Sequence, residues 1–377
     1  MENTRIGNLE AVALMMTVMA NHSILNTTKT IITSTSSAAI LNTIYISIIA
    51  LLLSYIICRS LSKFPTFDII DISNFLGGKI LKVILSILFL SYFIFFSANL
   101  LKAFAYFLQT IYFTSTHTFF IMVVFLITSV LVCNLKNNSI FRSNLLTIPL
   151  VIFSIILLFL GNIGDFTFIN AFPFLGYGSA ETFLIGINNL FAFQGLIHLL
   201  FLPPHLKDVT KLKKITLLSI SMSALYLIFS VGIIVLLFDP AVTNTLLMPL
   251  YSAARYIEFG AFIQRLDSIF ILIWIISFVS YISIIVSTCH NILRKVTQVR
   301  STKFSSTLIG LIILVVTFFS QSYGTVTFII NTVYQYGFFI ILGISLIVMF
   351  IASIVKSIKS RKSNKKTNPK TIVGGAM

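Results

Sequence analysis

Apolar runs of about 20 residues, the length a bilayer-crossing helix needs, recur along the whole chain between short polar or basic loops. In the first half they cover Leu9–Ile32, Ala38–Cys58, Ile80–Leu108, Thr118–Cys133 and Leu145–Gly161. The second half repeats the count with Thr182–Leu202, Ile215–Phe238, Leu266–Cys289, Phe304–Ser320 and Phe328–Val355. The third and tenth runs exceed a perpendicular crossing and are expected to tilt or to extend beyond the lipid.

Two runs depart from the apolar pattern. Leu9 to Ala20 is almost wholly apolar, but Asn21, His22, Ser23, Asn26, Thr27, Thr28, Lys29 and Thr30 follow. An unpaired polar group in hydrocarbon costs several kcal/mol, so this half must face protein or a watery cavity. A discontinuous span lining a binding site satisfies the pattern; so does a complete helix whose polar stripe packs on its neighbours. The sixth run carries Asn188, Asn189, Gln194, Gly195 and His198, and ends at Pro203 and Pro204. Taken alone, Gly195 suits close helix packing and His198 a buried, hydrogen-bonded imidazole. As a pair, interruptions in the first helix of each five-helix set suit a site near the midplane between two inverted repeats. The expected fold is therefore an all-α polytopic membrane protein with ten transmembrane helices, built as two inverted five-helix repeats with discontinuous helices 1 and 6. The repeats cover about 9–161 and 182–355 within a domain at 1–355, and the basic tail 356–377 is expected to be disordered. The candidate ligand contacts are Asn21, His22 and Ser23 on the first span, with Phe193, Gln194 and Gly195 on the sixth.

Composition narrows the class. With 57% hydrophobic and 10% charged residues, the chain lacks the charged surface of a soluble protein of its size. The formal charge is +16, and every Lys and Arg except Lys29, Lys102, Arg255 and Arg265 falls on the N-terminal side of the ten-span map. Basic loops stay cytoplasmic, which places both termini there and sets the loops and tail against anionic lipid headgroups. These residues are dispersed with no aromatic platform among them, which argues against nucleic acid. Cys58, Cys133 and Cys289 fall at cytoplasmic span ends with no metal-pair spacing. No nucleotide motif, metal cluster or nucleophile with its base is visible, so neither an enzyme nor a metal or cofactor is expected. No Asp or Glu falls mid-span, so a ligand ammonium has to rest on carbonyls and amide oxygens, and a proton-driven pump is disfavoured.

The stretch from Met248 to Arg265 reads as an amphipathic helix over the outer mouth, with Leu250, Ala253, Ala254, Ile257 and Phe262 on one side. Arg255, Glu258, Arg265 and Asp267 are candidate cap and coupling residues, against the plainer reading of exposed ion pairs.

The run Pro249-Leu250-Tyr251-Ser252-Ala253-Ala254-Arg255-Tyr256-Ile257-Glu258-Phe259-Gly260, followed by Gln264-Arg265-Leu266-Asp267-Ser268-Ile269-Phe270 and Trp274, resembles the signature of the GerAB-type B subunit of spore germinant receptors. Lys63-Phe64-Pro65, Leu76-Gly77-Gly78-Lys79, Asn170-Ala171-Phe172-Pro173 and Phe193-Gln194-Gly195 are similar to that family as well. The resemblance implies the fold of the amino acid, polyamine and organocation transporter superfamily. It also implies sensing of a small nutrient, typically an amino acid, in the inner spore membrane, alongside an A subunit and a lipoprotein C subunit. Two positions depart from the family pattern: Asn21-His22-Ser23 stands where a Gly-x-Gly turn is common, and Leu196 where an acid often follows Gly195. An amino acid or polyamine permease and a structural membrane subunit remain the competing expectations.

Overall fold

The computed structural model describes residues 5–23, 27–135, 139–257, 266–299, 301–319 and 322–366. Span one is two helices, α1 (Asn8–His22) and α2 (Thr28–Thr35). At the start of α1, Glu10 accepts the Gly7 N–H at 2.7 Å, a carboxylate at the positive end of the helix. At its end hydroxyls take over: Thr27 Oγ1 donates to the His22 carbonyl at 2.8 Å, and Ser23 Oγ to the Met19 carbonyl at 3.1 Å. A tight turn over Ser36–Ala38, entered at Ser36 with φ 53°, leads into α3 (Ala39–Leu61).

α4 (Ile69–Ile111) starts well before Ile80, because a short helical stretch precedes a break at Gly77 and Gly78. Gly78 has φ 65°, a conformation open to glycine and costly for other residues. Asp68 caps α4 by accepting the Ile70 and Asp71 N–H groups, each at 3.0 Å. α5 (Thr118–Asn134) and α6 (Ser139–Gly161) complete the first five spans.

Span six is hardly an α-helix at all. It winds as a wide π-type segment over Ala180–Ile185, tightens to 3-10 geometry over Gly186–Phe193, and closes with α7 (Gly195–Leu199). Then follow α8 (Leu212–Leu237), the short α9 (Pro240–Thr245) and α10 (Pro249–Tyr256), α11 (Leu266–Thr297) and α12 (Thr302–Thr317). Span ten is also composite: α13 (Tyr323–Phe328), a π-type segment over Ile329–Tyr334, and α14 (Gln335–Lys366). α14 runs past Val355 into the stretch expected as a disordered tail, and 367–377 lies outside the described residues.

Six segments of the described residues are long and apolar enough to cross a bilayer unaided: 28–61, 69–111, 140–161, 209–237, 266–297 and 323–359. The other crossings are shorter or broken helices, so the ten-span expectation holds with discontinuous helices 1 and 6. α1 lies against α6, α8 and α11, and α3 runs along α8. Lipid gives helices no hydrophobic reason to associate, so close packing by small residues has to hold them. α3 buries Ala39, Thr43, Ser47, Ala50 and Ser54, and α8 buries Thr216, Ser219, Ser223, Ala224 and Ser230. The hydroxyls of Thr43, Ser47, Ser219 and Ser230 donate to carbonyls four residues back at 2.6–2.8 Å, so they are buried without remaining unpaired. Outward-facing Leu52, Ile80, Phe120 and Leu146 are 60–75% exposed, as a lipid-facing surface requires.

The two ends of the bundle differ in charge. At one end Lys295 bridges Asp68 at 2.6 Å and Asp71, and the Ile6 backbone pairs with the His205 carbonyl and the Lys207 N–H. There Lys213 lies over the Tyr55 ring and Lys356 over the Phe64 ring, so the basic loops gather on this end. Of the four exceptional cations, Lys29 donates to the Leu246 carbonyl at 2.7 Å, and Lys102 to the Thr317 carbonyl at 2.9 Å, where the negative end of α12 receives it. Arg255 is exposed, and Arg265 lies outside the described residues.

Candidate functional site

A cavity of about 40 Å³ lies where the breaks in spans one and six meet. His22, Thr27 and Thr30 line it from span one, and Asn188, Asn189, Phe191 and Ala192 from span six. Asn331 and Gln335 enter from span ten, Leu100 and Phe107 from α4, and Met248 from the segment before α10. The wall is therefore amide-rich and apolar, with no carboxylate or cation among the lining residues. Its volume admits about three water molecules.

His22 is 4% exposed, stacked on Phe96 with centroids 5.7 Å apart and edge-on to Phe191 at 4.6 Å. Its Nδ1 lies 2.6 Å from Thr27 Oγ1, whose single proton goes to the His22 carbonyl. That network assigns the proton to Nδ1, donating to Thr27, and leaves Nε2 a bare acceptor. His22 Nε2 has no hydrogen-bond partner. A buried acceptor left unmade costs about 1–3 kcal/mol, which an incoming N–H or O–H would recover.

Of the six residues expected to touch a ligand, His22 alone lines the cavity. Asn21 points to α11 instead: its Nδ2 donates to the Thr17 carbonyl at 2.8 Å, to Ser277 Oγ at 2.7 Å and to the Ser277 carbonyl at 3.3 Å. Ser23 spends its hydroxyl on Met19, and Phe193 is 1% exposed in the packed core. Gln194 donates to the Tyr281 hydroxyl at 2.6 Å and accepts from that of Tyr92 at 3.3 Å, a latch between α4 and α11. Gly195 abuts span one, where an added Cβ would stand 2.6 Å from Met19 Cε and 2.8 Å from Met19 Cγ. Its place is one of close packing, as its residue type also allowed. His198 has neither ring nitrogen bonded, against the expectation of a hydrogen-bonded imidazole.

Sequence reasoning gave Asn188 and Asn189 as polar markers of span six without making them contacts. Asn189 Nδ2 donates to Ser34 Oγ and to Asn42 Oδ1, both at 2.9 Å, while Asn42 Nδ2 donates to the carbonyls of Thr182 and Gly186 at 2.7 and 3.1 Å. Asn331 and Gln335 were overlooked, although both interrupt an otherwise apolar run; Gln335 donates to the Asn188 carbonyl at 2.8 Å.

The cap region divides. α10 buries Leu250, Ala253 and Ala254, and Asp267, 6% exposed, accepts from the hydroxyls of Tyr251 at 3.2 Å and Tyr112 at 3.3 Å. That ties α10 and α4 to the start of α11. Arg255 is exposed, and Glu258 and Arg265 lie outside the described residues.

Two sets of five spans, each opened by a broken helix beside a central cavity, define a multi-pass membrane protein of the inverted-repeat transporter fold. Solved structures share it: a Na+-coupled sialic acid symporter in a substrate-bound outward-open state (TM-score 0.67, 12% identity, 94% of this chain and 80% of that one). A nucleobase-cation-symport-1 family transporter closed on bromovinylhydantoin matches at 0.66 and 12% identity, over 91% of this chain and 78% of that one. MhsT in complex with L-phenylalanine matches at 0.64 and 13% identity, over 94% and 100%. Identities this low carry the fold alone. No curated protein matches the chain significantly in sequence. Residues 5–326 match the spore permease family of spore germination proteins, and the chain belongs to that family.

Proposed function

We propose that the chain is the nutrient-sensing B-type subunit of a spore germinant receptor, and that a small germinant, an amino acid, binds in the cavity between spans one and six. The observation that carries this reading is the unpartnered Nε2 of buried His22 at a cavity without charged walls. A neutral imidazole can accept one N–H of a ligand ammonium, with amide oxygens and carbonyls taking the rest. The carboxylate would meet N–H groups freed where the helices break. Signalling would follow from a movement of spans one and six against each other as the ligand enters. On this reading the protein works in the inner spore membrane, with its termini and basic end on the core side, beside an A subunit and a lipoprotein C subunit.

A germination screen of single nutrients, run on spores with and without this gene, tests the assignment. Loss of response to one amino acid is expected, and His22→Phe should reproduce it at normal protein abundance; an unchanged response in the deletion strain would contradict the role. The transporter fold supports a second reading, a working permease. Uptake of the same radiolabelled nutrient into vesicles, above that of vesicles lacking the protein, would favour it.

A further inference from the structure

Away from the central cavity, a groove of about 500 Å³ opens at the basic end between the last turns of α3 and the Phe350–Ile358 stretch of α14. Its upper wall is Ile56, Phe350 and Ile354, which are 44–66% exposed on the lipid-facing side of the bundle. Arg59, Ser60, Lys63 and Ser353 line the same groove, together with Ile358. On α3, Ile56 precedes Arg59 by about one turn, so the apolar wall leads into the cation, and Phe350, Ile354 and Ile358 of α14 run alongside.

The cations in this groove have no counter-charge. No carboxylate pairs with exposed Arg59 or Lys63 among the described residues, and the nearest acids in sequence, Asp68 and Asp71, are held by Lys295. Lys63 donates to Ser353 Oγ and Lys356 to the Lys63 carbonyl, with Lys356 over the Phe64 ring at 4.5 Å, so these two cations are held together beside a groove that Arg59 also lines. Mutually repelling cations held together by hydroxyl, carbonyl and ring contacts form an anion site, and Arg with Ser hydroxyls suits phosphate oxygens.

We propose that this groove binds an anionic phospholipid, its phosphate at Arg59 and Lys63 and an acyl chain along Ile56, Phe350 and Ile354. A soluble phosphate would gain nothing from the apolar wall, and a zwitterionic lipid would bring its own cation to a basic pocket. The site is separate from the cavity between spans one and six and does not depend on its function.

The test uses the purified full chain in detergent with spin-labelled phosphatidylglycerol and phosphatidylcholine. Phosphatidylglycerol should bind more tightly, and Arg59→Gln should weaken it by about five-fold, the expected effect of one cation at this depth. Arg59→Gln with Lys63→Gln should erase the preference, Arg59→Lys should keep most of it, and the charge-matched control Lys207→Gln with Lys211→Gln should leave it intact. If the double variant does not elute as folded protein, Arg59→Gln alone carries the test. Equal binding of both lipids by the wild type, equal loss in the control pair, or displacement of phosphatidylglycerol by inorganic phosphate would each overturn the proposal.

Discussion

Among the described residues around the break in span one, four buried side-chain atoms have no hydrogen-bond partner: Thr17 Oγ1, Asn21 Oδ1, His22 Nε2 and Thr28 Oγ1. Around the break in span six, Asn189 and Gln194 each engage two partners, and the buried side-chain atoms without one are those of His198, further along in α7. The two spans carry the same kind of polar interruption, yet one leaves its valences open and the other uses them. Span six departs from α geometry because α3 holds it: Asn42 takes two of its carbonyls, and a Cβ on Gly186 would lie 2.3 Å from Asn42 Nδ2. In span one, the hydroxyls of Ser23 and Thr27 bond the last carbonyls of α1. On the proposed reading, span one offers the ligand its open valence, while span six lines the cavity and is held by α3.

Substitutions can break that division. The largest effect is expected from Gly195→Leu, which drives a side chain into Met19; overpacking of about 3 kcal/mol or more should remove folded protein from the membrane. Normal abundance with a lost nutrient response would instead return Gly195 to the ligand site. Asn42→Ala leaves two carbonyls of span six without a donor and should cost about 2–3 kcal/mol, read as a lower midpoint of thermal unfolding. Thr27→Val removes the partner that holds the His22 tautomer. The nutrient dose curve should move roughly 2- to 12-fold to higher concentration, and the unfolding midpoint should fall too, since the His22 carbonyl and Nδ1–H both lose their partner. Asn21→Ala should affect stability alone. Losing the link to Ser277 costs about 0.5–1.5 kcal/mol of stability, and affinity should stay within about two-fold.

Much of the fold was legible because lipid enforces it. Runs too apolar for water and too long for anything but helices gave the spans, and the placement of Lys and Arg gave the basic end. The starts of α4 and α6 were not legible, since amphipathic turns such as Ile69–Leu76 lack the unbroken apolar run that marks a crossing. At the site, the sequence indicated which spans break but not which way each polar residue turns. Asn21 and His22 are neighbours, and about 100° of helical rotation separates a contact with α11 from a place in the cavity wall. Gln194 and Gly195 were chosen for their chemistry, and their packing against Tyr92, Tyr281 and Met19 comes from elements distant in sequence.

The division between spans is tested most directly by measuring how the purified protein distinguishes the amino acid found in the nutrient screen from its hydroxy-acid analogue, in wild type, His22→Phe and Gln194→Ala. The analogue lacks the ammonium that His22 Nε2 is expected to accept. The wild type should prefer the amino acid by roughly 10- to 150-fold, the worth of one hydrogen bond to a charged group. His22→Phe should bind both ligands alike, and Gln194→Ala should keep the preference in whatever protein folds. Full discrimination in His22→Phe, with loss of it in Gln194→Ala, would contradict the account and move the ligand to span six.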